Sequence, residues 1–218
     1  MTIAYQSQSS SHAAASSVSQ AYPASIVLGD FLLLVVFDQA TPSTDPPAGG
    51  WLPCGTPIVG SGQILRAYSK TALGTESGTN QAVAWGSSVN YQVCIARFTV
   101  GAGTIGQVKN WQTNKTTGSG TAIAAAATAA PAGTMSVSMG GAYNGGVNDT
   151  VTESGSWTEI CDLPQGSPLA GAAVAYLAGA TPAACTFTFS TTNSGDLIAA
   201  SFYILEAPSG NALFFGSL

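Results

Sequence analysis

The stretch GDFLLLVVF, residues 29–37, constrains the fold more than any other part of the chain. Seven consecutive apolar side chains, Phe31 to Phe37, follow a Gly-Asp turn signal and stop at Asp38. A membrane-spanning helix needs about 20 apolar residues, and no run in this chain approaches that. The length is that of one β-strand, and a continuous apolar run between turn signals fits a strand buried on both faces. Such a strand is expected at the centre of a sheet. One face lies on its own core, and the other lies under a partner domain or another subunit.

The rest of the chain has the same character. Short segments rich in β-branched and aromatic residues alternate with Gly, Pro, Asn and Ser clusters. In the first half the pattern predicts strands near Ile3–Ser9, Ala14–Ser19, Phe31–Phe37, Trp51–Pro53, Gln63–Ser69, Gln81–Trp85 and Tyr91–Val100. In the second half it predicts Gln107–Lys115, Thr121–Ala126, Thr134–Gly141, Trp157–Cys161, Ala172–Leu177, Cys185–Ser190 and Leu197–Leu205. CTFTFS sets Phe187 and Phe189 on one face and the threonines on the other, the period of a half-buried strand. RAYSK and MSVSMG alternate in the same way. The Ala-rich stretch Ala122–Ala130 has helical propensity, but its context favours a strand followed by a loop.

The two halves echo each other. Tyr5 and Trp111, Trp51 and Trp157, and Phe98 and Ile204 share one offset of about 106 residues. LRAYSKTALG aligns with AVAYLAGATP, which sets Tyr68 opposite Tyr176. The expected fold is therefore all-β: two tandem antiparallel β-sandwich domains, Ig-like or jelly-roll-like, from an internal duplication. The expected boundaries are residues 1–103 and 104–207, with a C-terminal interaction tail over 208–218. A single jelly roll built from both halves is the alternative architecture.

Composition excludes several function classes. Only 7% of residues are charged, against about 25% in ordinary globular proteins. With 45% hydrophobic residues the chain is not disordered. A net charge of −5 and five scattered basic residues argue against a nucleic-acid groove. The N-terminus MTIAYQSQSS has neither a basic n-region nor an apolar h-region, so synthesis in a cytosol without a signal peptide is expected. Cys54, Cys94, Cys161 and Cys185 form no C-x-x-C, and His12 is the one histidine. No zinc spacing exists, and the cysteines read as small buried hydrophobes. No cofactor is expected.

Catalysis has little to work with. His12 lies among serines, but no G-x-S-x-G elbow accompanies it. Asp45, and Asp149 with Glu153, lie in long loops at matched places in the two halves. Paired carboxylates of this kind serve glycosidases or bind Ca²⁺; solvated loop charges or contacts to a glycan are the plainer readings. Trp51, Trp85, Trp111 and Trp157 would suit sugar stacking, although a tryptophan repeated at matched positions reads as core. The tail carries an apolar cluster, Leu213, Phe214, Phe215 and Leu218, which is a candidate interaction site.

GDFLLLVVF, then PPAGGW, LRAYSKTALGTESGT and the closing YQVCIARFTV together resemble a β-sandwich module of tailed-bacteriophage structural proteins. In that family a strand of the form GDLLVVV leads to PxGW, and a strand like RxYxKxA with an acidic-Gly turn follows. The resemblance covers residues 26–100. It is faint over 107–206, where the Gly-Asp matching Gly29-Asp30 is lost and the Pro-x-Gly before Trp157 is absent. It implies a virion protein with no catalytic residues. The expected role is a capsid-surface decoration or cement protein, a minor capsid protein packed on the head shell. Its partners would be the major capsid protein or other virion subunits, and it would form a homo-oligomer on the virion without touching nucleic acid or membrane. The alternative is a tail or fibre protein whose loops bind a host-surface glycan.

Overall fold

The structure, a computed structural model, describes residues 3–39, 43–128, 130–143, 150–164, 169–179 and 184–209. Every regular element among them is a strand. The first half contains β1 (Ala4–Ala21), β2 (Phe31–Asp38), β3 (Leu52–Pro53), β4 (Ile58–Gly60), β5 (Gln63–Thr71) and β6 (Asn80–Thr99). The second contains β7 (Thr104–Thr116), β8 (Gly120–Ala125), β9 (Met135–Tyr143), β10 (Val151–Glu153), β11 (Thr158–Pro164), β12 (Leu169–Ala178), β13 (Cys185–Asn193) and β14 (Leu197–Pro208). The Ala-rich stretch is strand over β8 and loop beyond it.

Two large antiparallel sheets share one strand order. The first runs β1-β6-β2-β5-β3, with β4 also paired to β5. The second runs β7-β14-β9-β12-β11. A third sheet, β8-β13-β10, covers the outer face of the second. Among the described residues of the first half no separate third sheet forms. Instead β1 and β6 are long enough to do both jobs. Their ladder shifts register between Ala15 and Ser17, a bulge that sharpens bending. Beyond it the ribbon turns back over its own sheet, so that the Ser9 hydroxyl donates to Ala21 O. The four separate strands expected near residues 3–9, 14–19, 81–85 and 91–100 are thus two continuous ones.

β2 answers for the whole architecture. All eight of its residues are buried. Phe31, Leu33, Val35 and Phe37 face Met135, Val137, Met139, Phe202 and Ile204 of the second sheet in a central core that both halves build. Leu32, Leu34 and Val36 face the other way, onto Trp51, Tyr68, Val83, Trp85 and Tyr91 beneath the folded-back ribbon. Fully burying one such side chain is worth about 1.5–3 kcal/mol, so a single strand anchors two cores. A third core, around Phe187, Phe189, Ile123 and Leu197, lies between the second and third sheets.

Two expectations need correction. Tyr68 and Tyr176 are not equivalent. Tyr68 pairs with Leu34 and points into the outer core of the first half, whereas Tyr176 pairs with Val137 and faces the central core. A slip of one residue in an alignment of strands reverses the face; Ser69, which pairs with Leu33, holds the place of Tyr176. Nor is MSVSMG half-buried. Ser136 and Ser138 lie under the third sheet, 2% and 0% exposed, because small hydroxyl side chains fit where the sheets approach closely.

Candidate functional site

The charged side chains are few, and the fold uses most of them internally. At the end of β2, Arg66 Nη1 donates to both oxygens of Asp38, at 2.6 and 2.8 Å. Trp85 Nε1 donates to the same carboxylate at 3.2 Å. Burial pushes Asp38 up to about 7 against the pull of Arg66. Asp45 completes the group: it accepts from the Tyr68 hydroxyl at 2.6 Å and lies 3.3 Å from Arg66 Nε. The matched-loop carboxylate singled out in the sequence therefore closes an internal ion pair and ties its loop to the sheet.

A second group surrounds Lys70. Its ammonium is 4.8 Å from the Tyr22 ring centre and 5.1 Å from that of Trp51, donates to Tyr22 OH at 2.9 Å, and pairs with Glu76 at 3.3 Å. Gln81 Oε1 accepts from Trp51 Nε1 and Tyr22 OH, while its Nε2 donates to Ala48 O and Ala82 O. An open depression of about 500 Å³ lies above these residues. Its polar floor is saturated by internal partners, which makes it a clasp on the 48–51 turn. Elsewhere Arg97 pairs with Asp30 at 2.6 Å. Lys115 pairs with Asp196 at 2.9 Å, and Asp196 reaches across the two halves to accept from Ser61 N and Oγ.

The remaining candidates are scattered. His12 is exposed on β1, opposite Gln92. Glu153 is half-buried on β10; burial, then Glu159 and Asp162, push it up to about 7. Asp149 and the tail residues Leu213, Phe214, Phe215 and Leu218 lie outside the described residues. Trp51, Trp85 and Trp157 are core residues, 2%, 4% and 9% exposed. Trp111 packs on Phe202 at the central core. All four cysteines are free thiols. Cys94 and Cys161 meet across the central core, where burial, then the neighbouring thiol, holds Cys161 well above the usual range. Among the described residues no three His, Cys, Asp or Glu side chains converge as a metal site.

What the fold does present is apolar. Val27, Leu28 and Leu73 are 54%, 76% and 70% exposed. They sit on two adjoining turns, held by Gly29 N donating to Ala72 O and by the close approach of Gly74 to Leu28. Glu76 fixes the second turn by accepting from Leu73 N. This knob passed unnoticed in the sequence. The one available signal was that VLGD and ALGT each carry a leucine just before a turn glycine, here with φ of +93° and +79°. Leu52 is a separate exposed leucine at the β3 edge. Compared with family models, curated proteins and solved structures, the chain matches none.

Proposed function

We propose that this chain is a non-enzymatic structural subunit of a tailed-bacteriophage virion, a decoration or cement protein that packs on the head shell beside the major capsid protein. The observation that carries the reading is the disposition of charge. Four of the five basic side chains are held in ion pairs, those of Arg66, Lys70 and Arg97 within the fold and that of Lys115 at its surface. The exterior is left to Ser, Thr, Ala, Asn and Gln, with an apolar knob at Val27, Leu28 and Leu73. A nearly neutral surface is poor at recruiting nucleic acid or anionic membrane. It suits close packing against other subunits, since permanent interfaces are the more apolar class.

The GDFLLLVVF and PPAGGW motifs support the same reading. The shared strand order of the two large sheets supports its structural half, a duplicated tandem of β-sandwich units with the junction near residues 100–103. The test is to add purified protein to heads stripped of accessory proteins and image the product. Regular density over the shell is expected. Binding at the tail alone, or to host cells and not to shells, overturns the decoration reading in favour of a tail or fibre protein that recognises a glycan.

A further inference from the structure

The four thiols occupy three places in the fold, and two of them touch. Cys54 lies at the β3 edge of the first sheet, where its N–H donates to Ala67 O and its thiol bonds with Ser69. Cys185 lies in the outer core of the second half. Cys94 and Cys161 belong to different halves, yet they meet in the central core, where their side chains hydrogen-bond to each other.

β6 and β11 bring them together. Cys94 stands on β6 opposite Val35 of the central strand β2. On β11 the ladder shifts between Glu159 and Cys161, so that Ile160 and Cys161 both turn to the central core. Two residues along each strand, Gln92 Nε2 donates to Leu163 O at 2.6 Å across the joint. That buried bond fixes β6 against β11 beside the thiols. The Cα atoms of the two strands approach within 8 Å, close to the about 4.4–6.8 Å that a disulfide spans.

The pair is shielded. Cys94 is 1% exposed and Cys161 3%. Tyr5 and Tyr176, both partly exposed, stack with ring centres 5.0 Å apart at the rim where β1 passes over β11. The Tyr5 hydroxyl lies within electrostatic reach of both thiols. A reagent reaches the sulfurs only when this rim opens.

We propose that Cys94 and Cys161 are a latent disulfide between the two halves, closed by a small organic disulfide when the rim opens. The step is two successive exchanges. One cysteine gives up its proton, and its sulfur attacks the reagent, breaking the reagent's S–S bond, releasing one thiolate and leaving a mixed disulfide. The other cysteine, likewise deprotonated, attacks the cysteine sulfur of that mixed disulfide and displaces the second thiolate. Both cysteines are oxidised, and the reagent is reduced to two thiols, which take up the two protons. The bond closes a loop of about 70 residues that contains the junction between the halves. It clamps the first sheet to the second across the core that both build, whereas the thiol form leaves that joint to packing. The inference stands apart from the virion reading.

The test uses the full chain in urea below its unfolding transition, where local opening is frequent. One sample receives iodoacetamide, and alkylation of Cys94 and Cys161 times the opening of the rim; urea is raised within the folded baseline until both react. A second sample receives oxidised mercaptoethanol for the same time, is quenched with acid and is mapped by mass without reduction. Peptides joined through Cys94 and Cys161 are expected, with the thermal midpoint raised by at least about 5 °C and restored by dithiothreitol. Cys54→Ser with Cys185→Ser, which keeps only this pair, is expected to give the same product and the same shift. Cysteines that are alkylated in the first sample but stay unjoined in the second overturn the proposal. So does a disulfide to Cys54 or Cys185, or one between chains. An unchanged midpoint overturns the clamp.

Discussion

The ring of Phe37 rests on the backbone of Gly141, with no room for a methyl group between them. The contact joins the central strand of one large sheet to that of the other. Gly141→Ala would drive its Cβ into the ring, and overpacking of this kind costs about 1–3 kcal/mol. Gly86→Ala, with nothing near its added Cβ, is the control and is expected to change stability by less than about 0.5 kcal/mol. Urea titration of the two variants checks the difference. Equal stability would show that the sheets do not meet as described.

The Arg66–Asp38 pair is 3% and 0% exposed at its two side chains. Removing Arg66 leaves the Asp38 carboxyl buried without its basic partner, at a cost of about 3–5 kcal/mol. Arg66→Met is expected to show that loss. Replacing both residues, by Asp38→Leu with Arg66→Met, is expected to recover much of it. A double-mutant cycle in urea measures both. A double variant no better than the single would show that the pair's value lies in its hydrogen bonds to neighbours.

Glu153 gives stability a slope with pH. Its folded value is near 7, above the about 4.3 of an unfolded glutamate. Between those values the folded state holds more protons, so stability falls as pH rises and levels off above about 7. Asp38 adds to the same slope. The thermal midpoint is expected to be lower at about pH 8 than at about pH 5, and Glu153→Gln is expected to flatten that dependence. A variant with the native slope would remove Glu153 as its source.

Asp196 acts in the opposite sense. The hydrogen bond from Lys115, with those from Ser61 and Gly118, holds its carboxyl down to about 2. Its contribution is complete above about pH 4 and is lost as pH falls towards 2. Asp196→Asn is expected to cost about 1.5–3 kcal/mol, the worth of hydrogen bonds to a charged group, and to make the stability less sensitive to acid below pH 4. Denaturant titrations at about pH 3 and about pH 6 separate these effects.

Leu28 and Leu73 test the interaction surface. Both are exposed, so Leu28→Ser with Leu73→Ser is expected to leave the unfolding midpoint within about 0.5 kcal/mol of the native chain. On the proposed decoration role, binding to stripped heads is expected to fall at least about tenfold, a loss of about 1.4 kcal/mol. Undiminished binding would take the knob out of the interface.

The sequence carried the class of fold and the double burial of β2, because seven apolar residues between a Gly-Asp signal and an aspartate admit few alternatives. It carried the faces of Phe187 and Phe189 for the same reason, a clean period of two. It did not carry the continuity of β1 and β6. Ser10–Ala13 and Gly86–Asn90 read as breaks, whereas small residues are what a ribbon needs to turn back tightly on its own sheet. The exchange of Tyr176 for Ser69 was hidden because Tyr68 stands next to it in sequence and on the opposite face in space. The charged candidates were legible as residues but not as partners, since Asp45 meets Arg66 only after β5 is laid beside β2.

The shared central core also sets a schedule for synthesis. Phe31, Leu33, Val35 and Phe37 leave the ribosome early, but the side chains that cover them reach as far as Phe202 and Ile204. At about 5–20 residues per second that face waits roughly 10–30 s without its lid. The first half is born with its greasiest surface bare, and its survival until the second half arrives is a matter for the cell's chaperones.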